Sequence, residues 1–239
     1  MTRFVALISG KGGVGKTSLT LGLGQALADF DKNVVLLDAN LTTPNLGLHL
    51  GLLNPNATLN EFIRKERSIK DIIHDYKEHG FSIIPASTSF AESQKTNPMK
   101  ISKVFENLAG TFDFVLVDCP SGLGNDLREV LKHTDEAVVV VNPTNSSVME
   151  ALKAVELAKT QDNIITGAIL NMTSWWSSHE LKKKEIEDIL GVQVVAELKN
   201  DRKVKKALYQ SLPLNYLNPN TRSAKEVDKL ASYLMMLEE

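Results

Sequence analysis

One cysteine in 239 residues, Cys119, leaves no partner for an intramolecular disulfide, which fits a reducing compartment. It also removes any site that needs two cysteines from one chain. Its neighbour Asp118 invites a nucleophile reading, but no histidine lies near in sequence, and Cys119 reads as a small buried residue. The five histidines (49, 74, 79, 133, 179) fall at no ligand spacing and read as ordinary surface or satisfied side chains. No apolar run approaches the roughly 18 residues of a membrane helix. The opening "MTRFVALIS" runs straight into glycines without the longer apolar core and cleavage site of a signal peptide. A soluble, cytoplasmic chain is expected. An excess of one charge is missing too: the formal net charge is −2, so nothing global points to nucleic acid or anionic membrane as the main ligand.

What the chain has is apolar residues, 43% of it, in short Val- and Ile-rich runs. The runs at 4–9, 33–38, 81–85, 114–118, 137–141, 164–170 and 192–198 read as strands buried on both faces. Helical periods lie between most of them. One spans 17–30, with Leu19, Leu23, Ala26, Leu27 and Phe30 on one stripe. Another spans 147–160, after a Ser146-Ser147 start that suits a cap, and a last one spans 221–237, capped by Thr221 or Ser223. Strands alternating with helices predict an α/β fold, a doubly wound and mainly parallel sheet flanked by helices. No linker or repeat divides it, so 1–239 reads as one domain.

"SGKGGVGKT", residues 9–17, fits two patterns. Gly10, Gly12 and Gly15 match the dinucleotide fingerprint, whereas Gly10, Gly15, Lys16 and Thr17 match the phosphate-binding P-loop. Lys16 and Thr17 decide between them. A dinucleotide's pyrophosphate is held by backbone alone, but a nucleoside triphosphate needs a lysine for its β/γ oxygens and a hydroxyl for Mg²⁺. The metal's waters need a carboxylate at the end of a later buried strand, and "FVLVDCP" offers Asp118. Asp38 ends the second strand.

A second lysine, Lys11, is asked for by neither pattern. "KGGVGKT" (11–17) resembles the deviant Walker A motif of the MinD/ParA group of P-loop ATPases. "LLDANLTTPNLGLHLG" (36–51) is similar to that group's switch I, "VDCPSGLG" (117–124) to its switch II, and "VVNPTNSSV" (140–148) to its Asn-Pro segment at the dimer face. The likeness covers essentially the whole chain and is strongest to the MinD branch, its archaeal members especially. It implies a P-loop NTPase fold with ATP and Mg²⁺ as cofactors. It also implies an ATP-dependent homodimer in which Lys11 reaches the partner's phosphates, and slow hydrolysis serving cell division or positioning through an unidentified regulatory protein. Residues Gly10, Lys11, Gly12, Gly13, Val14, Gly15, Lys16, Thr17 and Ser18 would cradle the phosphates, and Asn171, ending "AILN", would recognise adenine. Thr17, Asp38 and Asp118 would serve the metal. Lys11, Lys16, Asp38 and Asn40 form the expected catalytic set.

The departures from that family are specific. Its second switch I aspartate is Asn40 here, and the glutamate that often follows Asn-Pro is Thr144. The proline-acidic stretch bordering adenine is "LKND" (198–201). The chain stops at "SYLMMLEE" and not at a basic amphipathic helix, so no direct membrane anchor is expected. Two alternatives stay open: a DNA-binding partition ATPase of the ParA type, and a flagellar-number regulator acting as a nucleotide-dependent scaffold. "KNDRKVKK" (199–206) would be the DNA surface, although the net charge does not favour it. "LKKKEIEDIL" (181–190) reads as a solvent-facing helix. Of the adjacent Trp175 and Trp176, one is expected to be exposed, with local packing favoured over a partner contact.

Overall fold

A computed structural model describes residues 1–76, 78–174 and 179–237; Trp175 and Trp176 therefore lie outside the described residues. Among the described residues, eight strands form one sheet: β1 Arg3–Ile8, β2 Val34–Asp38, β3 His74–Tyr76, β4 Phe81–Ile84, β5 Phe114–Asp118, β6 Glu136–Val141, β7 Ile164–Thr173 and β8 Val194–Lys199. They lie in the order β3-β4-β2-β5-β1-β6-β7-β8. Every pairing is parallel except β3 with β4. Seven strands are the apolar runs of the sequence. The eighth, β3, is the three polar-leaning residues "HDY", and an edge strand of that length carries no apolar pattern to read.

Among the described residues, twelve α-helices connect and cover the strands: α1 Lys16–Asp29, α2 Leu46–His49, α3 Leu59–Ile63, α4 Ile69–Ile72, α5 Phe90–Lys95, α6 Ser102–Leu108, α7 Asn125–Leu131, α8 Asn145–Lys159, α9 Lys183–Leu190, α10 Arg202–Tyr209, α11 Leu214–Leu217 and α12 Arg222–Met236. Alternate strand residues feed two separate cores, as the two-residue period requires. Ala6, Ile8, Val115, Val117, Val139 and Val141 face one, with Val148, Ala151 and Val155 of α8. Val5, Leu7, Leu36, Leu116, Val138 and Val140 face the other, under α1 and α12. Burial on both sides is why these strands read as continuous apolar runs.

Three local details differ from the sequence reading. The cap of α8 is Thr144, whose hydroxyl accepts from the Ser147 amide; Ser147 instead takes its hydroxyl back to the Asn142 amide at 3.0 Å. Helix α9 is not merely solvent-facing, for Ile186 and Leu190 are buried against α8. Phe30, expected on the stripe of α1, falls just past the helix end and is 43% exposed. Thr221 does cap α12. Among the described residues no helix is long and apolar enough to cross a membrane.

The sheet order positions the site. β1 sits between β5 and β6, so the chain turns to opposite sides of the sheet from its end, and that reversal opens a crevice at the carboxyl ends of the strands.

Candidate functional site

Helix α1 begins without a side-chain cap, its N-cap Gly15 held left-handed at φ 99°. A side chain there would meet both that strain and the Asn171 amide. The unfilled amide donors of the first turn therefore face the crevice as an anion seat. Lys16 stands beneath them, 7% exposed, its Nζ donating to the Ser9 hydroxyl at 2.8 Å. Burial lowers its pKa, opposed by nearby Asp118. An ammonium so desolvated, resting on a neutral hydroxyl, is short of negative charge, and a phosphate would supply it.

Asp38 and Asp118 end adjacent strands and are directly paired in the β2–β5 register. Both are buried. Asp38 accepts from the Asn40 amide at 3.2 Å and the Leu46 amide at 3.0 Å, which pins α2 to the strand end. Thr17 donates its hydroxyl to Asp118 Oδ2 at 2.6 Å. Asp118 Oδ1 is buried and has no partner among the described residues. Burial pushes Asp118 up to about 6, with the Thr17 hydrogen bond and Lys16 pulling back. Asp38 is raised well above the usual carboxylate range, by burial and then by Asp118. Two desolvated carboxylates, one unpaired oxygen and a hydroxyl suit a hard divalent cation bound through oxygen and water.

That arrangement fixes a pH dependence. If a cation binds there, a proton would compete with it for Asp118, so cation-dependent ligand affinity should hold above about pH 6 and fall by up to about tenfold per unit below it. Calorimetric titrations between pH 5 and 8 would check this; a flat profile would contradict the shared site. The ligand-free fold moves oppositely. A raised carboxyl pKa contributes stability while it is protonated, and that contribution fades as pH climbs from about 4 through about 6.

The remaining expected residues divide into those in the cleft and those beside it. A cleft of about 330 Å³ is lined by Gly13, Gly15, Lys16, Thr17, Ser18, Asn40 and Asp118. Asn40 is folded into its own loop: its amide donates to the Thr43 carbonyl at 2.8 Å and its Oδ1 accepts from the Thr43 amide at 3.1 Å. Asn171 is buried and donates to the carbonyl of Val14 at 2.7 Å, clasping the glycine loop from β7. Lys11 is exposed and outside that cleft, its ammonium on the Ser146 hydroxyl at 3.1 Å. Gly10 presses on the backbone of α8 at Glu150, and Gly12 lies near Ser121.

Seven further residues line the cleft: Thr43, Asn45 and His49 lie in the switch I-like stretch, Cys119 and Ser121 in the switch II-like one, and Met172 and Leu208 in stretches where the sequence reading singled out neither. His49 departs from the expectation of a satisfied or surface histidine, since its Nδ1 is buried with no partner among the described residues and burial lowers its pKa. Met172 and Leu208 come from the end of β7 and from α10, so no local pattern joins them. Cys119 is buried as expected, and burial with Asp118 pushes its thiol far up, which makes it inert.

Comparison with known proteins agrees with this geometry. The ParA family model, described as a NUBPL iron-transfer P-loop NTPase, matches residues 1–235. An ATP-binding protein of Methanocaldococcus jannaschii is 36% identical over 231 residues, covering 97% of this chain and 87% of that one. The crystal structure of the cell division ATPase MinD of Pyrococcus furiosus superposes with a TM-score of 0.93 at 30% identity, covering 99% of this chain and all of that one. MinD of Pyrococcus horikoshii, complexed with Mg-ADP, superposes equally well, with a TM-score of 0.93 at 29% identity over 100% of this chain and 98% of that one. The loop, the paired carboxylates and the whole-chain likeness make this chain a member of the ParA/MinD family of P-loop NTPases.

Proposed function

We propose that the chain binds Mg·ATP, dimerises face to face on it and hydrolyses it slowly, as a switch acting in cell division or spatial positioning through a regulatory protein. The observation that carries this reading is the divergence of the two loop lysines. Lys16 is buried and turned to its own cleft, whereas Lys11 is exposed and away from it, free to serve a phosphate on a second copy. Amides of residues 12–18 would hold the phosphates, Lys16 would neutralise them in cis, and Asn171 would meet adenine through Oδ1 once its Nδ2 is spent on Val14. Mg²⁺ would neutralise phosphate oxygens, held by Thr17 with Asp38 and Asp118 on its waters. Light scattering tests the reading. It should give a monomer without nucleotide or with ADP and a dimer with a slowly hydrolysed ATP analogue; a monomer throughout would refute the dimer.

Asn40 gives the reading its slowness. An asparagine can orient water but cannot take its proton at neutral pH, and here both ends of its amide are engaged with Thr43. General-base assistance is worth about 10²–10⁴ in rate, less where the transition state is loose. The variant Asn40→Asp should therefore raise kcat about tenfold or more with Mg·ATP affinity intact. Equal rates would mean that orientation alone suffices.

One observation favours a second reading, a DNA-binding partition ATPase. Arg202, Lys203, Lys205 and Lys206 are exposed on α10, with no ion pair among the described residues. Such a face would bind phosphates of any duplex with a steep salt dependence. A DNA shift assay with and without ATP at two salt concentrations separates the two readings.

A further inference from the structure

Two cavities meet at Leu208. One is the cleft over the glycine loop. The other is apolar, lies between α1 and α10, and is walled by Leu19, Leu198, Val204 and Val227. Ser18 and Leu208 line both, and Asn171 stands at the apolar one. Phosphates seated at Lys16–Ser18 would therefore send their sugar and base past Leu208. The way is shut: the apolar cavity holds about 40 Å³, whereas sites for small organic ligands run to about 300–1,000 Å³.

The wall that shuts it is weakly held. Ala207 is the one fully buried residue of α10, in a small cluster with Leu214 and Ala224 that stands apart from the two main cores. An element with so few buried apolar contacts is among the first to open. The opposite wall is strained. The β7–β8 register slips between Leu170 and Thr173, and Met172 within that slip takes φ 59°. A left-handed residue other than glycine is strained, and such strain gathers at ligand sites. The kink leaves Met172 41% exposed on the cleft wall. Its terminal methyl lies 3.6 Å from where a side chain on Gly15 would begin.

We propose that Met172 and Leu208 are the two jaws of a nucleoside clamp. Met172 is the jaw fixed by its backbone, and Leu208 is the jaw carried by α10, which swings out to admit the base and closes on it. This rests on the nucleotide reading and adds the residues that grip the nucleoside. A thioether and an isobutyl group offer dispersion contacts to sugar and base and nothing to phosphate. Base-edge recognition stays with Asn171, so the clamp adds affinity without choosing a base.

The test compares ATP with inorganic triphosphate, each with Mg²⁺, on wild type, Met172→Gly and Leu208→Ala. Both variants should bind ATP about 5–10-fold more weakly, with triphosphate affinity unchanged within about twofold. Met172→Gly should keep or raise the melting temperature, because glycine takes the left-handed backbone without strain, so its weaker ATP binding would not report unfolding. In the wild type, hydrogen exchange across 202–209 should slow with Mg·ATP and not with Mg·triphosphate. Unchanged ATP affinity in both variants, an equal loss for triphosphate, or the same α10 exchange with either ligand would overturn the clamp. Wild type binding triphosphate as tightly as ATP would also overturn it and leave the phosphate loop standing; binding neither would end both readings.

Discussion

Lys11→Ala should keep Mg·ATP affinity within a few-fold of wild type and lose about 10³-fold or more in turnover, the scale of an arginine finger supplied in trans. The reason is positional. Lys11 is exposed, rests on Ser146 at the start of α8 and lies outside its own cleft, so removing it takes little from the monomer's grip on nucleotide. A cation at the first turn of a helix also opposes the helix dipole, so the Ser146 contact holds Lys11 lightly. Lys16→Ala should behave oppositely. Its ammonium is buried under the loop, and binding itself should fail. Phosphate release at saturating ATP, set beside equilibrium binding, separates the two; intact turnover in Lys11→Ala would end the face-to-face model.

Gly10→Ala should be a severely damaging single methyl in the loop. A Cβ on Gly10 would stand well inside contact distance of the carbonyl of Glu150 in α8, backbone against backbone, with no flexible side chain to give way. Overpacking of that kind costs about 3 kcal/mol, or a fall of about 6–12 °C in melting temperature for a chain of this size. Because the loop and α8 would be pushed apart, nucleotide affinity should fall with it. Gly12→Ala is the control, since its added carbon would meet only the Ser121 hydroxyl at 3.6 Å, an ordinary contact. Its melting temperature should stay within about 2 °C. Equal melting of the two variants would show that α8 gives way to the loop.

The sequence exposes most of this fold because burial on both faces leaves a plain signature. Seven strands read directly as apolar runs, and Asp38 and Asp118 stand out as the charges that end two of them. The glycine loop is local in sequence, and its motif reads directly from residues 9–17. What stayed hidden is assembled from afar. The clasp of Asn171 on Val14 spans 157 residues, and His49, Met172 and Leu208 meet from three distant elements. The left-handed turn at Met172 has no glycine or asparagine to announce it. The buried stripe of α9 was masked by the lysines and glutamates around Ile186 and Leu190. The cap of α8 was misjudged by two residues because threonine and serine both suit the position.

The central place of β1 also governs when the molecule can come into being. Arg3 through Leu7 pair with Phe114 through Asp118, and Val5 through Ile8 with Glu136 through Val139. The strand that carries the phosphate loop therefore emerges from the ribosome more than a hundred residues ahead of both neighbours. At about 5–20 residues per second, its apolar face waits for roughly 5–20 s before either pairing can form. Closing loops of that length onto a parallel sheet is slow in its own right. Nucleotide cannot hasten the early steps, because its seat does not exist until Asp118 has arrived beside Leu7. In a growing chain, this protein depends on whatever shields "RFVALI" meanwhile.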